Sequence, residues 1–379
     1  MAVLLLHCHL VIDAYREYLD GALLIQDETI KEVYPQSGKI KNMPEGCEII
    51  DLGGTLLMPG FFDTHTHGID GMSFDSANKD ELDKISYEFA REGSTSFLAS
   101  LSYDLSPDDF DRQLSLFEGY ESPFARFEGI HLEGPFLSKK HLGVGDPDRF
   151  LKPDIKIVED FLNKSSKIRQ MTIAYELDGA KEIGTLLKER GIKVMCGHSD
   201  ALWQDLDENV DGFTHLFNAM RGLHHRDETL INAAFSDHYN IELIADGHHV
   251  KEDVLKLVIN NIDKNKIMVV TDSSIARGLP DGEYIFISKP CTKKGTDFIT
   301  FDGHYAGSVV SIPDELKVLY KLGAKYTDLL LYGGLNAFRF YGLDKKFGTL
   351  EKGKYADLVI MDDQLDIRDV YVAGRSVYA

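Results

Sequence analysis

Two histidines one residue apart close an apolar run in the stretch FFDTHTHG, Phe61 to Gly68. In an extended strand residues i and i+2 share a face, so His65 and His67 can present their imidazoles to one point, as a metal site requires. An H-x-H pair alone is a weak signal, because imidazole suits several metals and commonly satisfies ordinary hydrogen bonds at strand ends. Further donors stand where other apolar runs end: Glu133 in FEGIHLE, His198 in IKVMCGH, His215 in VDGFTH and Asp272 in KIMVVTD. Any one of them has a bland explanation. The set of six does not, since packing favours apolar residues and unpaired buried polar groups are costly. A metal held by such a set would acidify a water and polarise a substrate carbonyl while a carboxylate moves the proton, which is the chemistry of hydrolysis. Zinc is the first expectation for nitrogen and carboxylate donors, and Fe2+ or another divalent ion fits the same set.

Six donors need a scaffold that gathers strand ends. From Phe61 onward eight short apolar or alternating runs recur, at 61–65, 95–101, 127–133, 168–176, 192–198, 210–215, 241–246 and 266–272. Helix-like segments such as KDELDKISYEFAREG and DGAKEIGTLLKERG lie between them. These open with acidic residues and close on Gly93 or Gly191, in keeping with the helix dipole and a glycine stop. The alternation predicts an α/β fold, a (β/α)8 TIM barrel, whose active site forms at the C-terminal ends of the strands where the six donors sit. Residues 1–57 and 349–379 read instead as short strands joined by Asp-Gly and Gly-Gly turns. They predict a small β-sandwich domain built from both termini, with residues 58–348 forming the hydrolase barrel.

The 379 residues suffice for one large barrel and an appendage, and 43% hydrophobic with 27% charged residues is a globular balance. A formal net charge of −21 argues against a nucleic-acid or anionic-membrane partner, and an anionic substrate would need a local cationic pocket. The start, MAVLLLHCHLVID, has no basic region before its apolar run and is interrupted by His7, His9 and Asp13, so it reads as neither signal peptide nor membrane span. Cys8, Cys47, Cys196 and Cys291 form no C-x-x-C pair, and reduced thiols in a cytoplasmic protein are the expectation.

Taken together, PGFFDTHTHG, IHLEGPFLS, GHSDA, THLFNAM, HHRDE, IADGHHV and VTDSS closely resemble, in the same order, the N-acetylglucosamine-6-phosphate deacetylases of the amidohydrolase superfamily. HLEGPF followed by GHSDA and THLFNAM is specific to this group, while DTHTHG occurs throughout the superfamily. The resemblance implies that Glu133, His198 and His215 hold the principal metal. It implies that His65 and His67 supply a second, bridged through Glu133, as in some relatives. Asp272 would take a proton from the attacking water and return it to the departing amine, and one group serving as base and then acid suits so poor a leaving group. Asn218, the Ala219 backbone and His249 match residues that meet the phosphorylated sugar. Arg226 matches an arginine that relatives contribute across a homodimer interface, and its forked donors suit phosphate.

The chain also departs from its relatives. After HLEGPFLS they usually carry a segment like K-G-A-H-N-P whose histidine helps polarise the acetyl carbonyl; here KKHLGVGDPDRF places Gly145 at that position. Losing one transition-state donor can cost about 2 to 4 kcal/mol, with His141 or a second metal as the two candidate replacements. HHRDET, GSVVSIP and NAF depart from family patterns as well, and are expected around the substrate pocket. Within the fold the competing readings are N-acetylgalactosamine 6-phosphate or another N-acyl sugar as substrate. Outside enzymes the competitor is a non-catalytic sugar-phosphate-binding protein. The branches that bridge their metals with a carbamylated lysine on strand four are disfavoured, because IRQMTIAYE contains no lysine and Glu133 fills that role.

Overall fold

The computed structural model describes residues 2–378 except Asn42, Tyr103, Asp104, Asp237 and Ser288, so Met1 and Ala379 lie outside the described residues. All eight expected runs form strands: β1 (Phe61–Asp63), β2 (Ser94–Ser102), β3 (Arg126–Glu133), β4 (Ile168–Ile173), β5 (Lys193–Cys196), β6 (Gly212–Phe213), β7 (Asn240–Leu243) and β8 (Ile267–Val269). They are parallel and adjacent in chain order, the sequence of a (β/α)8 barrel. Several strands are shorter than their apolar runs, because the last residues of each run leave the sheet to form the rim.

The two helical segments singled out by sequence are helices for the reasons that identified them. In α1 (Lys79–Arg91), Asn78 and Glu81 form a reciprocal capping box, and Leu82, Ile85, Phe89 and Ala90 bury one stripe. Phe89 packs edge-on against Phe97 of β2 at 5.3 Å. After Ala180–Glu189, the amide of Gly191 donates to Lys188 and that of Ile192 to Leu187, so a left-handed Gly191 terminates the helix. Between β5 and β6 the sole helical element among the described residues is a 3-10 turn, Trp203–Asp205.

The barrel closes without a regular β8–β1 ladder. One bridge joins Thr66 to Ser273, in which the Asp272 amide donates to the His65 carbonyl and the His67 amide to the Ser273 carbonyl, both at 2.8 Å. Below it the Asp63 carboxylate accepts from the Thr271 amide at 3.2 Å and the Thr271 hydroxyl at 2.6 Å. Burial pushes the Asp63 carboxyl up to about 6, against the pull of Thr271 and Arg277. Lower still, Asn336 donates its amide to the carbonyls of Ile267 and Lys264. Its helical segment approaches β1 closely because a side chain at Gly333 would meet Phe61 at 2.8 Å. The NAF stretch is therefore a seam element at the barrel floor and not part of the substrate pocket.

Both termini contribute to one hydrogen-bonded sheet. Ala2–Val11 pairs with Glu17–Gln26 on one side, and on the other with Glu48–Asp51 and then Leu56–Pro59, which in turn pairs with Leu358–Met361. Leu5, Leu10, Leu23, Ile25, Leu57 and Leu358 share one buried apolar core on this sheet. Gly53 and Gly54 form the expected turn, but Asp20–Gly21 does not: it lies inside a strand, at an irregularity opposite Cys8. Gly21 is there for close approach, since a Cβ would stand 2.5 Å from Leu10. A three-stranded meander (Gly282–Phe286, Lys289–Lys294, Asp297–Thr300), not anticipated from the sequence, separates β8 from the helix Ile312–Lys321.

Replacing Thr271 by the near-isosteric Val leaves the buried Asp63 oxygen without its donor. Urea unfolding is expected to show a loss of about 1 to 3 kcal/mol; an unchanged midpoint would show that this bond does not hold the seam.

Candidate active site

Each expected donor sits at or just past the C-terminal end of its strand. Two three-residue sets share Glu133: His65, His67 and Glu133, and Glu133, His198 and His215, all buried. The His198 and His215 Nε2 atoms lie 3.2 and 3.3 Å from Glu133 Oε1 and 3.2 Å from each other. On the other side His67 Nε2 is 3.3 Å from Glu133 Oε2 and 3.3 Å from His65 Nε2. Asp272 Oδ1 stands 3.4 Å from His67 Nε2 and 3.5 Å from His65 Nε2.

Abrupt turns at the strand ends produce this convergence. His198, His215 and Asp272 all adopt positive φ, at 46°, 30° and 47°, a conformation uncommon for non-glycine residues. The Asp272 turn also explains Gly307 of the GSVVSIP stretch, where a side chain would meet the Asp272 carbonyl at 2.6 Å. In the same stretch Ser311 caps the helix that follows.

The electrostatics favour a cation. Burial drives Glu133 up, yet His198, His215 and His67 hold its carboxyl well below the usual range. Asp272 is likewise lowered against burial, by His65 and His67. Burial pushes the His65 and His67 rings down, but the surrounding carboxylates raise His65 to about 9 and hold His67 well above its ordinary value. The two carboxylates thus draw positive charge into a desolvated space ringed by imidazole nitrogens, and that donor set fits a divalent ion. His131, two residues before Glu133, is different. Its ring is bonded on both sides, to Ser100 at 2.9 Å and Thr172 at 2.8 Å, and burial and His65 keep it far below its ordinary value. It is a satisfied core histidine.

A cavity of about 250 Å³ opens onto the donors. His67, Glu133, His198, His215 and Asp272 line it together with Asn218, Ala219 and His249, whereas His65 lies wholly buried behind. His249 is held by Asp246, Nδ1 to Oδ2 at 2.7 Å, and packs on Tyr305 at 4.6 Å, so Nε2 is the nitrogen left for a ligand. Arg226 is exposed and does not line the cavity of its own chain. Among the described residues the lining contains no Lys or Arg.

The structure rejects His141 as a replacement for the missing loop histidine. Its Nε2 is engaged by Asp200 at 3.1 Å, in a cluster with Lys140 and Arg221, and it is the His141 carbonyl that meets His198 Nδ1 at 2.9 Å. Gly143 and Val144 border the cavity; Gly145 does not. HHRDET does not border it either, and of the three departing stretches only GSVVSIP reaches it, through Gly307. Sequence reasoning missed Phe286, Ile287, His304 and Tyr305, which the unanticipated meander and the turn after it bring to the mouth. It also missed Glu242, buried on β7 behind His65. The available signal was a lone carboxylate between Ile241 and Leu243 in an otherwise buried strand.

Residues 56–377 match the amidohydrolase family. The chain is 31% identical to the N-acetylglucosamine-6-phosphate deacetylase of Vibrio furnissii, over 96% of this chain and 92% of that one. It is 30% identical to the N-acetylgalactosamine-6-phosphate deacetylase of Escherichia coli O157:H7, over 88% and 90%. A mutant N-acetyl-D-glucosamine-6-phosphate deacetylase from Mycobacterium smegmatis, solved in complex with N-acetyl-D-glucosamine 6-phosphate, superposes with a TM-score of 0.89 at 27% identity, covering 99% of both chains. With the strand order, the donor sets and these likenesses in agreement, the chain belongs to the amidohydrolase family, in its N-acetylglucosamine-6-phosphate deacetylase group.

Proposed function

We propose that this protein hydrolyses the N-acetyl group of N-acetylglucosamine 6-phosphate, releasing glucosamine 6-phosphate and acetate. The observation that carries the reading is the pair of buried donor sets sharing Glu133, with the Asp272 carboxylate beside them on the wall of one cavity. Glu133, His198 and His215 would hold one divalent ion and His65, His67 and Glu133 a second, with Zn2+ favoured by the donor types. Such an ion, when bound, supplies the charge that acidifies a water and polarises the acetyl carbonyl.

The chain's own residues do the rest. Asp272 lines the cavity and is held there by its backbone bond to His65. It takes the water's proton and delivers it to the sugar nitrogen as the C–N bond breaks. His249, with Nδ1 fixed on Asp246, offers Nε2 to the sugar hydroxyls, and Asn218 with the Ala219 backbone faces the phosphorylated end. Because no Lys or Arg lines the cavity among the described residues, the phosphate charge calls for a cation from elsewhere. In this reading a homodimer supplies it, with Arg226 entering the neighbouring site. A cytoplasmic location completes the proposal, in keeping with four free cysteines. Among the described residues no helix is long and apolar enough to cross a membrane.

Acetate release from metal-reconstituted protein tests the activity directly. Turnover of N-acetylglucosamine 6-phosphate above both N-acetylgalactosamine 6-phosphate and unphosphorylated N-acetylglucosamine is expected; turnover of the galacto sugar alone would reassign the epimer, and none with any of them would sink the reading. Asp272→Asn should keep its metal content while turnover falls by about 100- to 10,000-fold. Substantial residual activity would remove the acid/base assignment. Arg226→Ala should raise KM for the phosphorylated sugar far more than for the unphosphorylated one. Mixing Arg226→Ala with Asp272→Asn subunits should restore activity, since each mixed dimer then contains one complete site; a mixture no more active than its components means that Arg226 does not act across subunits.

A further inference from the structure

Each donor set contains one imidazole whose far nitrogen is bound by a group that can only accept. For His198 that group is the His141 carbonyl. For His65 it is the fully buried Glu242 carboxylate, with Oε2 3.4 Å from Nδ1. An acceptor at Nδ1 requires the proton there, leaving the Nε2 lone pair facing Glu133, His67 and Asp272. The Nδ1 atoms of His67 and His215 have no such partner.

Glu242 is itself held in a directed chain. The Tyr341 hydroxyl donates to the Gln170 carbonyl oxygen, which orients the amide so that its nitrogen donates to Glu242 Oε1 at 2.9 Å. Thr64 donates to the same oxygen at 3.2 Å. One carboxylate oxygen is thus saturated by donors, and the other is directed at His65. A buried carboxylate is costly unless its bonds serve it, and here the one at Oε2 ends on a candidate metal ligand.

Resting on the reading of these six residues as a metal centre, we infer that Glu242 is a positioning residue that makes the His65, His67 and Glu133 set a competent second metal site. It fixes the His65 tautomer and adds a negative charge behind it. Glu242→Gln is nearly isosteric and separates this role from packing. Its amide oxygen keeps the bonds from Gln170 and Thr64, which turns the NH2 group toward His65 Nδ1. The ring must then accept at Nδ1 and carry its proton on Nε2, toward the site.

The test is titration of metal-free protein with Zn2+ against a chromogenic chelator. The parent is expected to bind two ions per chain. In Glu242→Gln one site keeps its affinity and the other weakens about 10- to 100-fold. His67→Asn, which removes a donor unique to the second set, should abolish that same weakened site. Two parental affinities in Glu242→Gln, equal weakening of both sites, or a parent that binds a single ion would each overturn the inference. Should Glu242→Gln not fold, Tyr341→Phe acts two steps further out, through Gln170, and leaves the carboxylate in place; a smaller loss confined to the second site is expected, and unchanged binding would overturn the proposed chain. Acetate release by the same parent preparation keeps the two claims apart. Two ions bound without acetate release defeats only the activity, and acetate release with both sites unmoved in Glu242→Gln defeats only the role of Glu242.

Discussion

The architecture of the site depends on how the barrel closes. Strands β8 and β1 share no regular ladder, and the bonds between them at the rim are made by the backbones of His65, His67, Asp272 and Ser273. The residue read as acid and base is therefore joined to His65, and the next residue to His67, through main-chain hydrogen bonds, independently of any ion. Farther down, side chains replace the missing ladder, with Asp63 bonding Thr271 and Asn336 donating to the Ile267 carbonyl of β8. A buried carboxylate is acceptable there because it meets the Thr271 amide and hydroxyl, and the Asn336 Nδ2 group pairs backbone carbonyls.

Above this seam the balance of charge defines what the cavity can hold. Four imidazoles gather around Glu133 in two sets, the ligand atoms of each set within 4.8 Å of one another, and the Asp272 carboxylate stands 3.4 Å from His67, at a depth where an uncompensated charge is expensive. Immediately behind them a second layer of Ser100, His131, Thr172 and Thr214 is bonded internally and adds no charge. Glu242 places a carboxylate in that interior, and its bond at Oε2 runs to the candidate ligand His65. The contrast between His131, satisfied on both nitrogens, and His65, satisfied on one, separates a core histidine from one with a nitrogen free for the site.

In the proposed reading the substrate side is assembled from different material. His249 owes its position to Asp246 and Tyr305, and Tyr305 in turn bonds Asp297 of the meander. The loop after β3 contributes Gly143 and Val144, where a Cβ at Gly143 would stand 3.0 Å from the His198 ring. Its backbone lies against the candidate ligand, and among the described residues no imidazole from this loop lines the cavity. The residues proposed to meet the substrate thus come from segments distant in sequence, on loops where binding residues commonly sit.

The sequence by itself determined the number and order of the barrel strands, the helices with legible caps, and the donors at the strand ends. Each of these follows from local rules: apolar runs of strand length, capping chemistry, and polar residues where packing would place apolar ones. Only the tertiary structure decided which polar residues face one another. Glu242 and His65 are 177 positions apart, Asp63 and Thr271 are 208 apart, and no periodicity relates either pair. The same holds for NAF, expected at the pocket and found at the floor, and for Asp20–Gly21, expected as a turn and found within a strand. Local composition gives the propensity to turn or to bind, whereas the partner that uses it is chosen by barrel closure, which sets the register and hence the face each side chain meets.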